Sequence, residues 1–332
     1  MENYQHYIAV DWSMASMAIA RMTGQSDKIT EREAPTSLAE LKTYLKALKG
    51  KAILMFEESN NAQWLYTELK DFVERILICD PYRNRLLSEG AKTDKIDARK
   101  LVQLLRAGLV KEVYHSGEHF IYVRKLTSHY QDLVRSGVRM KNQRSALFRS
   151  YGLDHKKDEF SGDSKIEDFV LAQLDNQIES YQRAKQSYEE KIKSVVKTSQ
   201  EARLLKDIPG IGDIHAVEIL ATVVDAKRFP TAGHFLSYCG LITHEKISGG
   251  KSYGNRKTHY HRRMKAIFKM ATFTCVGEGS NNPVATYYRY LSQKKNYPPY
   301  KARHACARKI ACYAYGVLKT KTKFKARSFA KE

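Results

Sequence analysis

The sequence has no run of apolar residues approaching the roughly 20 that a membrane-spanning helix requires. Its first residues, Met1 to His6, lack the basic segment followed by an apolar one that marks a secretory signal. The five cysteines are scattered, odd in number and without a CxxC pair. These absences disfavour a membrane protein, a secreted disulfide framework and a zinc site. We therefore expect a cytoplasmic protein with reduced thiols.

Acidic residues are scarce in the last quarter of the chain. From Lys246 to Glu332 there are 21 lysines or arginines and two acids, a net charge of +19, whereas the preceding residues have a net charge of +2. Tyrosines are interleaved with these cations, a combination typical of contact with phosphates and bases. A solvated basic face or a patch for anionic membranes is the alternative, but no amphipathic apolar anchor accompanies the charge. We expect DNA or RNA as partner, and association with the nucleoid.

Four carboxylates lie where a metal-dependent nuclease needs them. Asp11 lies within one apolar run, Glu57 closes another, and Asp94 and Asp97 stand three residues apart at the start of a helical pattern. A carboxylate at the end of a buried strand is costly unless it is paired or binds a metal, and helix positions i and i+3 share a face. The four acids predict a site for Mg²⁺, or for Mn²⁺. Glu58 competes with Glu57, but would point to the other side of a strand.

The first hundred residues alternate between strand-like and helix-like patterns. Three short β-like runs come first, followed by amphipathic helices and two buried strands, and a capping box at Ser37 and Glu40 marks the first helix. This order is the ribonuclease H-like, or RuvC-like, layout of an α/β domain. We expect this catalytic domain over residues 1–155, coiled-coil helices over 156–202 and a mainly α-helical basic domain over 203–332.

Apolar residues repeat in steps of three and four between Leu171 and Val195, without proline or glycine. Such a heptad seam is typical of a coiled coil. It predicts pairing of two copies of the chain, with a long helix packed within its own domain as the alternative.

The segment Ile208-Pro-Gly-Ile-Gly212 resembles the turn of a helix-hairpin-helix element. Gly210 and Gly212 permit a tight turn whose backbone amides can face a phosphate at a helix N-terminus. We expect both glycines to contribute to nucleic-acid binding, and a purely structural helical turn is the alternative.

With the acids, the heptad seam and the glycine turn in this order, the chain resembles the DEDD-type insertion-sequence transposases. This family is related to the Piv pilin-gene invertases and includes the bridge-RNA-guided recombinases. The resemblance spans nearly the whole chain, and its most specific part combines Thr93-Asp94-Lys-Ile-Asp97-Ala98 with the serine segment Ser248-Gly249. The other matching segments are Phe56-Glu57-Glu58-Ser59, Ile208-Pro-Gly-Ile-Gly212, Arg228-Phe229, Cys239-Gly-Leu241, Asn282-Pro283 and Ala307-Arg308-Lys309-Ile310.

The family implies a RuvC-like domain joined through a coiled coil to a transposase domain that carries a nucleophilic serine. Ser248 occupies that position, and Ser252 is the nearby competitor. A serine nucleophile needs activation, and cations around it would stabilise charge on a pentavalent phosphorus. The expected nucleic-acid contacts, of which the first four lie near Ser248, are Lys246, Lys251, Arg256, Lys257, Arg262, Arg263, Arg308, Lys309, Gly210 and Gly212.

The function that we expect is site-specific DNA recombination by an insertion-sequence enzyme of a bacterial or archaeal cell, working as a homodimer or tetramer. The resemblance also implies a structured noncoding RNA as guide. The alternatives are a Piv-like DNA invertase, a structure-selective endonuclease that uses water as nucleophile, and a non-catalytic nucleic-acid-binding protein. The expected catalytic residues are Asp11, Glu57, Asp94, Asp97 and Ser248.

Overall fold

The computed structural model describes residues 4–80, 94–110, 112–113, 118–160, 165–256 and 259–326, without the side chains of residues 94–95, 118–119, 244 and 256. The chain forms two compact units, Met1–Ser116 and Gly117–Glu332. The helix over residues 118–150 packs within the second unit, and the domain boundaries expected at residues 155 and 202 stay predictions. Sequence order alone does not reveal that contact.

A mixed sheet forms the centre of the first unit. Its strands are β1 (His6–Trp12), β2 (Ser16–Thr23), β3 (Ser26–Pro35), β4 (Ala52–Glu57) and β5 (Arg75–Cys79). The order across the sheet is β3-β2-β1-β4-β5. The first three strands are antiparallel neighbours, and β4 lies parallel to both β1 and β5. This arrangement is compatible with the expected ribonuclease H-like domain.

Helices cover both faces of this sheet. They are α1 (Leu38–Lys46), α2 (Ala62–Leu69) and α3 (Asp94–Ala107). Because side chains alternate along a strand, β1 places Ile8 and Val10 in the core with α1 and α2, and Ala9 in the core with α3. Ser37 caps α1 as predicted, by accepting a hydrogen bond from the backbone N–H of Glu40.

The second unit is mainly helical. Two long helices, α4 (Glu118–Ser150) and α5 (Lys165–Thr198), precede the shorter α6 (Gln200–Lys206), α7 (Asp213–Val223) and α8 (Ala232–Tyr238). A two-stranded ribbon of β6 (His244–Ser248) and β7 (Lys251–Arg256) follows. The chain then forms α9 (Arg262–Cys275), α10 (Pro283–Arg289) and α11 (Pro299–Thr320).

The two long helices form an antiparallel pair. Arg144 bonds Asp175 at 2.6 Å near one end, and Tyr130 donates to Glu189 at 2.8 Å near the other. The predicted heptad seam of α5 therefore faces α4 of the same chain, where the Tyr181 ring packs directly on Gly137. This contact matches the alternative that the sequence left open, in which the long helix packs within its own domain. A coiled coil between two copies stays a prediction.

A buried carboxylate joins three helices of the second unit. Glu218 on α7 is only 1% exposed, and both of its oxygens accept hydrogen bonds from Arg263 of α9 at 2.7 Å. Gln131 of α4 donates to the same carboxylate at 2.5 Å. Burial raises the pKa of Glu218, and Arg263 opposes that shift by stabilising the charged form. The arginine therefore makes an ionised side chain tolerable inside an apolar core.

All five cysteines are free thiols, and four of them are buried. Burial raises the pKa of Cys275 to about 11 and that of Cys306 to about 12, so these thiols stay protonated and act as small packing groups. Within the described ranges, no helix combines the length and apolar character needed to cross a bilayer.

We expect Arg263→Met to destabilise the second unit by about 3–5 kcal/mol at neutral pH, because it leaves a buried carboxylate without its cation. A raised pKa favours the protonated form in the folded state, so the deficit should shrink as the pH falls toward 4.5, the ordinary pKa of the Glu218 carboxyl. Thermal unfolding measured across that pH range tests both effects.

The neighbouring Arg262→Met is the matched control, since the Arg262 side chain is exposed and its loss should change stability little. Adding Glu218→Gln to Arg263→Met should recover much of the lost stability. If the single and double variants unfold at the same temperature, the unpaired charge is not the cause.

Candidate active site and nucleic-acid surface

Two of the predicted carboxylates lie at the carboxyl ends of neighbouring strands. The parallel register of β1 and β4 pairs Val10 with Phe56, and its next step sets Asp11 beside Glu57. Neighbouring strands lie about 5 Å apart. The two acids are therefore adjacent although 46 positions separate them in the sequence.

The pleat of the strands separates Glu57 from Glu58. Ile53 and Met55 lie in the core beneath α3, and alternation places Glu57 on that same face. Asp11 follows Ala9 on this face by the same rule. Glu58 lies beyond the end of β4, where its backbone N–H donates to Cys79 O at 3.0 Å. This geometry favours Glu57 as the partner of Asp11.

The direction of α3 follows from two ion pairs. Near its end, Arg106 bonds Asp27 at 2.7 Å at the start of β3, which is level with the start of β1. Earlier in the helix, Arg99 lies 3.6 Å from Glu31, which is level with the middle of β1. Helix α3 thus runs antiparallel to β1. Its first turn points toward the end of the sheet that carries Asp11.

Asp97 lies in that first turn, half-buried, and four residues before the buried Leu101. Positions i and i+4 share a helix face, so Asp97 is on the side that packs on the sheet. Helix α3 begins at Asp94, as predicted, but the side chain of Asp94 lies outside the described residues. Among the described side chains, no group of three or more His, Cys, Asp or Glu is close enough to hold a metal ion.

Ser248 is the last residue of β6, next to a two-glycine turn. Gly249 and Gly250 have φ of 54° and 74°, as a type I′ hairpin turn requires. Ser248 pairs across the ribbon with Lys251, and Lys246 stands two residues before it in β6. Cross-strand partners and residues two apart share a face. The serine hydroxyl therefore shares its face with two ammonium groups.

The competing serine has different neighbours. Ser252 pairs with Ile247, whose side chain is 67% exposed, so Ser252 lies on the other face of the ribbon. Every residue from 245 to 255 is exposed. The ribbon therefore presents both serines to solvent, and the charge around them distinguishes Ser248.

The other predicted basic contacts fall into three groups. Arg262 and Arg308 are exposed, and Lys309 lies 5.8 Å from the ring centroids of both Tyr287 and Tyr313. Arg263 is held by the buried carboxylate of α7, which gives this cation a structural reason to be present. The side chain of Arg256 and the whole of Lys257 lie outside the described residues.

The two turn glycines differ in what they contact. Gly210 has a φ of +83°, and an added Cβ would lie 2.3 Å from the carbonyl oxygen of Ala271 on α9. Gly212 immediately precedes α7 as its N-cap, with an extended backbone and open space around it. Asp213 occupies the first turn of α7, where its carboxylate pairs with Lys206 at 2.5 Å. Gly210 is thus required for packing, and phosphate contact at this turn stays a prediction.

A pair of rings next to Asp11 was not predicted. Trp12 and Trp64, the two tryptophans of the chain, lie edge to face with their ring centroids 6.0 Å apart. Trp12 packs in the core under α1 and α2, and Trp64 is 46% exposed. The pair lies on the face of the sheet opposite α3. The sequence did contain one indication of this ring pair, namely that Trp12 directly follows Asp11.

Family models match two long parts of the chain. A model for DEDD transposases of the IS110 type matches residues 8–152, which include all four predicted acids. A second model, described as the transposase IS116/IS110/IS902 family, matches residues 202–289, which include Ser248.

Known relatives agree with these matches. The uncharacterized 43.6 kDa protein of insertion element IS110 from Streptomyces coelicolor is 28% identical over 36% of this chain and 30% of its own length. The transposase for insertion sequence element IS1111A from Coxiella burnetii is 24% identical over 48% of either chain. The uncharacterized 44.8 kDa protein of insertion element IS116 from Streptomyces clavuligerus is 30% identical over 26% of this chain and 22% of its own length.

The matched segments therefore span less than half the length of each of these relatives. The two family models together extend over more than half of the chain, in the order that the sequence motifs predict. The chain belongs to the IS110-type family of DEDD transposases.

Proposed function

We propose that this protein is a site-specific DNA recombinase of an insertion sequence, which cuts and rejoins DNA. The observation that carries the proposal is the adjacency of Asp11 and Glu57 at the carboxyl end of the sheet, on the face toward which α3 directs its first turn. Membership of a transposase family and the +19 charge of the last quarter support DNA as the substrate.

The donor set fits a divalent cation. Carboxylate oxygens are the ligands that Mg²⁺ and Mn²⁺ prefer, and Asp11, Glu57, Asp94 and Asp97 would hold the ion. When bound, it would polarise the scissile phosphate and stabilise the departing oxygen. Asp97 on α3 would join Asp11 and Glu57 of the strands around the ion.

Ser248 is proposed as the nucleophile. Its Oγ forms the new bond to phosphorus while the bond to one sugar oxygen breaks, and the hydroxyl proton ends on that departing oxygen. The resulting phosphoserine keeps a phosphodiester bond for rejoining. Lys246 and Lys251 lie on the same ribbon face, where their charge stabilises the phosphorane oxygens. Ser252 lies on the face of Ile247 and lacks this support.

We expect Asp11→Asn to lower cleavage at least about 100-fold, because stabilisation of charge at the phosphate is lost. Ser248→Ala should form no covalent protein–DNA adduct. Both variants are assayed on DNA carrying the end of the element joined to its flank, with Mg²⁺ or Mn²⁺, and adducts are resolved on denaturing gels.

Glu58→Gln and Ser252→Ala are the matched controls, since each changes the neighbouring competitor, and both should retain activity. An adduct from Ser248→Ala would assign the nucleophile to another residue. Cleavage by the native protein without any adduct would instead favour an endonuclease that uses water.

We further propose a structured noncoding RNA as the guide and an even number of copies in the active assembly. The resemblance to bridge-RNA-guided recombinases and the tyrosine-rich basic quarter support an RNA partner. A Piv-like invertase is the alternative within the same class. It would use the same residues to invert DNA in place.

Expressed together with its flanking genomic DNA, the protein should co-purify with one discrete RNA transcribed from the noncoding flank. Sequencing of the bound nucleic acid makes the measurement, and a chain expressed without the flanks is the control. Only heterogeneous nucleic acid, despite transcription of the flanks, would contradict the guide and favour an invertase or an unguided nuclease.

A further inference from the structure

A small cavity lies between α9 and α11, apart from the ribbon and the glycine turn. Its volume is about 310 Å³, at the lower end of the range for small-ligand clefts. None of its described lining residues is among the expected site residues. They are Lys269, Thr272, Phe273, Tyr300, Arg303 and His304.

The lining consists of two stripes on facing helices. On α9, Phe273 stands four residues after Lys269, and on α11 Arg303 stands three residues after Tyr300, so each pair shares a helix face. Helices α9 and α11 are neighbours in the core of the second unit. The stripes are therefore held by rigid, packed elements.

Two aromatic rings in this cavity remain open to solvent. Phe273 is 61% exposed and Tyr300 is 73% exposed, while Thr272 beneath them is 1% exposed. Covering an exposed phenylalanine ring with a flat apolar surface is favourable, because it removes apolar area from water. The cavity thus offers stacking surfaces without requiring any core residue to move.

The charge of the cavity selects the kind of ligand. The guanidinium carbon of Arg303 lies 5.3 Å from the centroid of the Phe273 ring, and Lys269 lines the same cavity. Among the described lining residues there is no acid, in a part of the chain with a net charge of +19. A flat ring combined with a negative group complements these residues.

We propose that this cavity binds one unpaired nucleobase of a single-stranded DNA or RNA segment, stacked on Phe273 and Tyr300, with an adjoining phosphate on Lys269 and Arg303. The inference rests on the proposed nucleic-acid function and adds the form of nucleic acid that is recognised. A base inside a duplex has both faces covered by its neighbours, so only an unpaired or extruded base can stack here.

The test is binding of the full chain to fluorescent single-stranded DNA, single-stranded RNA and a duplex of the same sequence. Phe273→Ala should weaken single-strand binding roughly 5- to 150-fold and leave duplex binding unchanged. Its salt dependence should keep the native slope, because no phosphate contact is lost. Lys269→Gln should instead reduce the slope for single strands by about 0.7.

Tyr122→Ala is the matched control, since Tyr122 is 63% exposed on α4 and does not line the cavity. Phe273→Trp should restore single-strand affinity because it restores the stacking ring. As a second readout, a single strand containing a photoreactive uracil should crosslink to the segments that contain Phe273 or Tyr300, as mapped by mass spectrometry. Comparison of the affinities for single-stranded DNA and single-stranded RNA shows which nucleic acid the cavity prefers.

Native-like single-strand affinity in both Phe273→Ala and Tyr300→Ala would overturn the inference and leave the recombinase proposal intact. An equal loss of affinity for single strands and for duplex would also overturn it. So would variants that change oligomeric state but bind single strands as the native chain does. A native chain that binds neither single strands nor duplex would remove both proposals together.

Discussion

The packing of α3 on the sheet is the contact on which the candidate active site depends. Ala98, Leu101 and Val102 meet Ala9 and Met55 in one core, and burial of each large aliphatic side chain contributes roughly 1.5–3 kcal/mol. This apolar packing holds the helix that carries Asp97 against the sheet whose strands carry Asp11 and Glu57. The fold thus positions the three elements that carry the predicted acids.

A similar separation of tasks applies to the second unit. Its helices carry most of the positive charge, yet Phe235, Ile267 and Phe268 are completely buried at its centre. Of the ion pairs described in this unit, only Arg263–Glu218 brings opposite charges together next to that core. Repulsion between exposed cations is screened by solvent and salt. A strongly basic surface is therefore compatible with a well-packed interior.

Local patterns predicted the first unit well. Alternation of apolar residues identified the strands, Ser37 identified the start of α1, and Asp94 was found where α3 begins. The direction of α3 was not readable, because it depends on contacts between residues far apart in the sequence. The seam of α5 was recognised but its partner was not, since an apolar stripe has the same pattern against any apolar surface. Phe273 and Tyr300 likewise meet only through the packing of α9 on α11.

The ribbon of β6 and β7 differs from α3 in its burial. Its described residues are all exposed, and Ile247 and Tyr253 lie largely in solvent. A substitution there removes little buried surface, so it changes folding free energy little. Residues around Ser248 can therefore be replaced one at a time with little effect on whether the protein folds. A loss of function caused by such a replacement would report on chemistry at the ribbon surface rather than on the integrity of the scaffold.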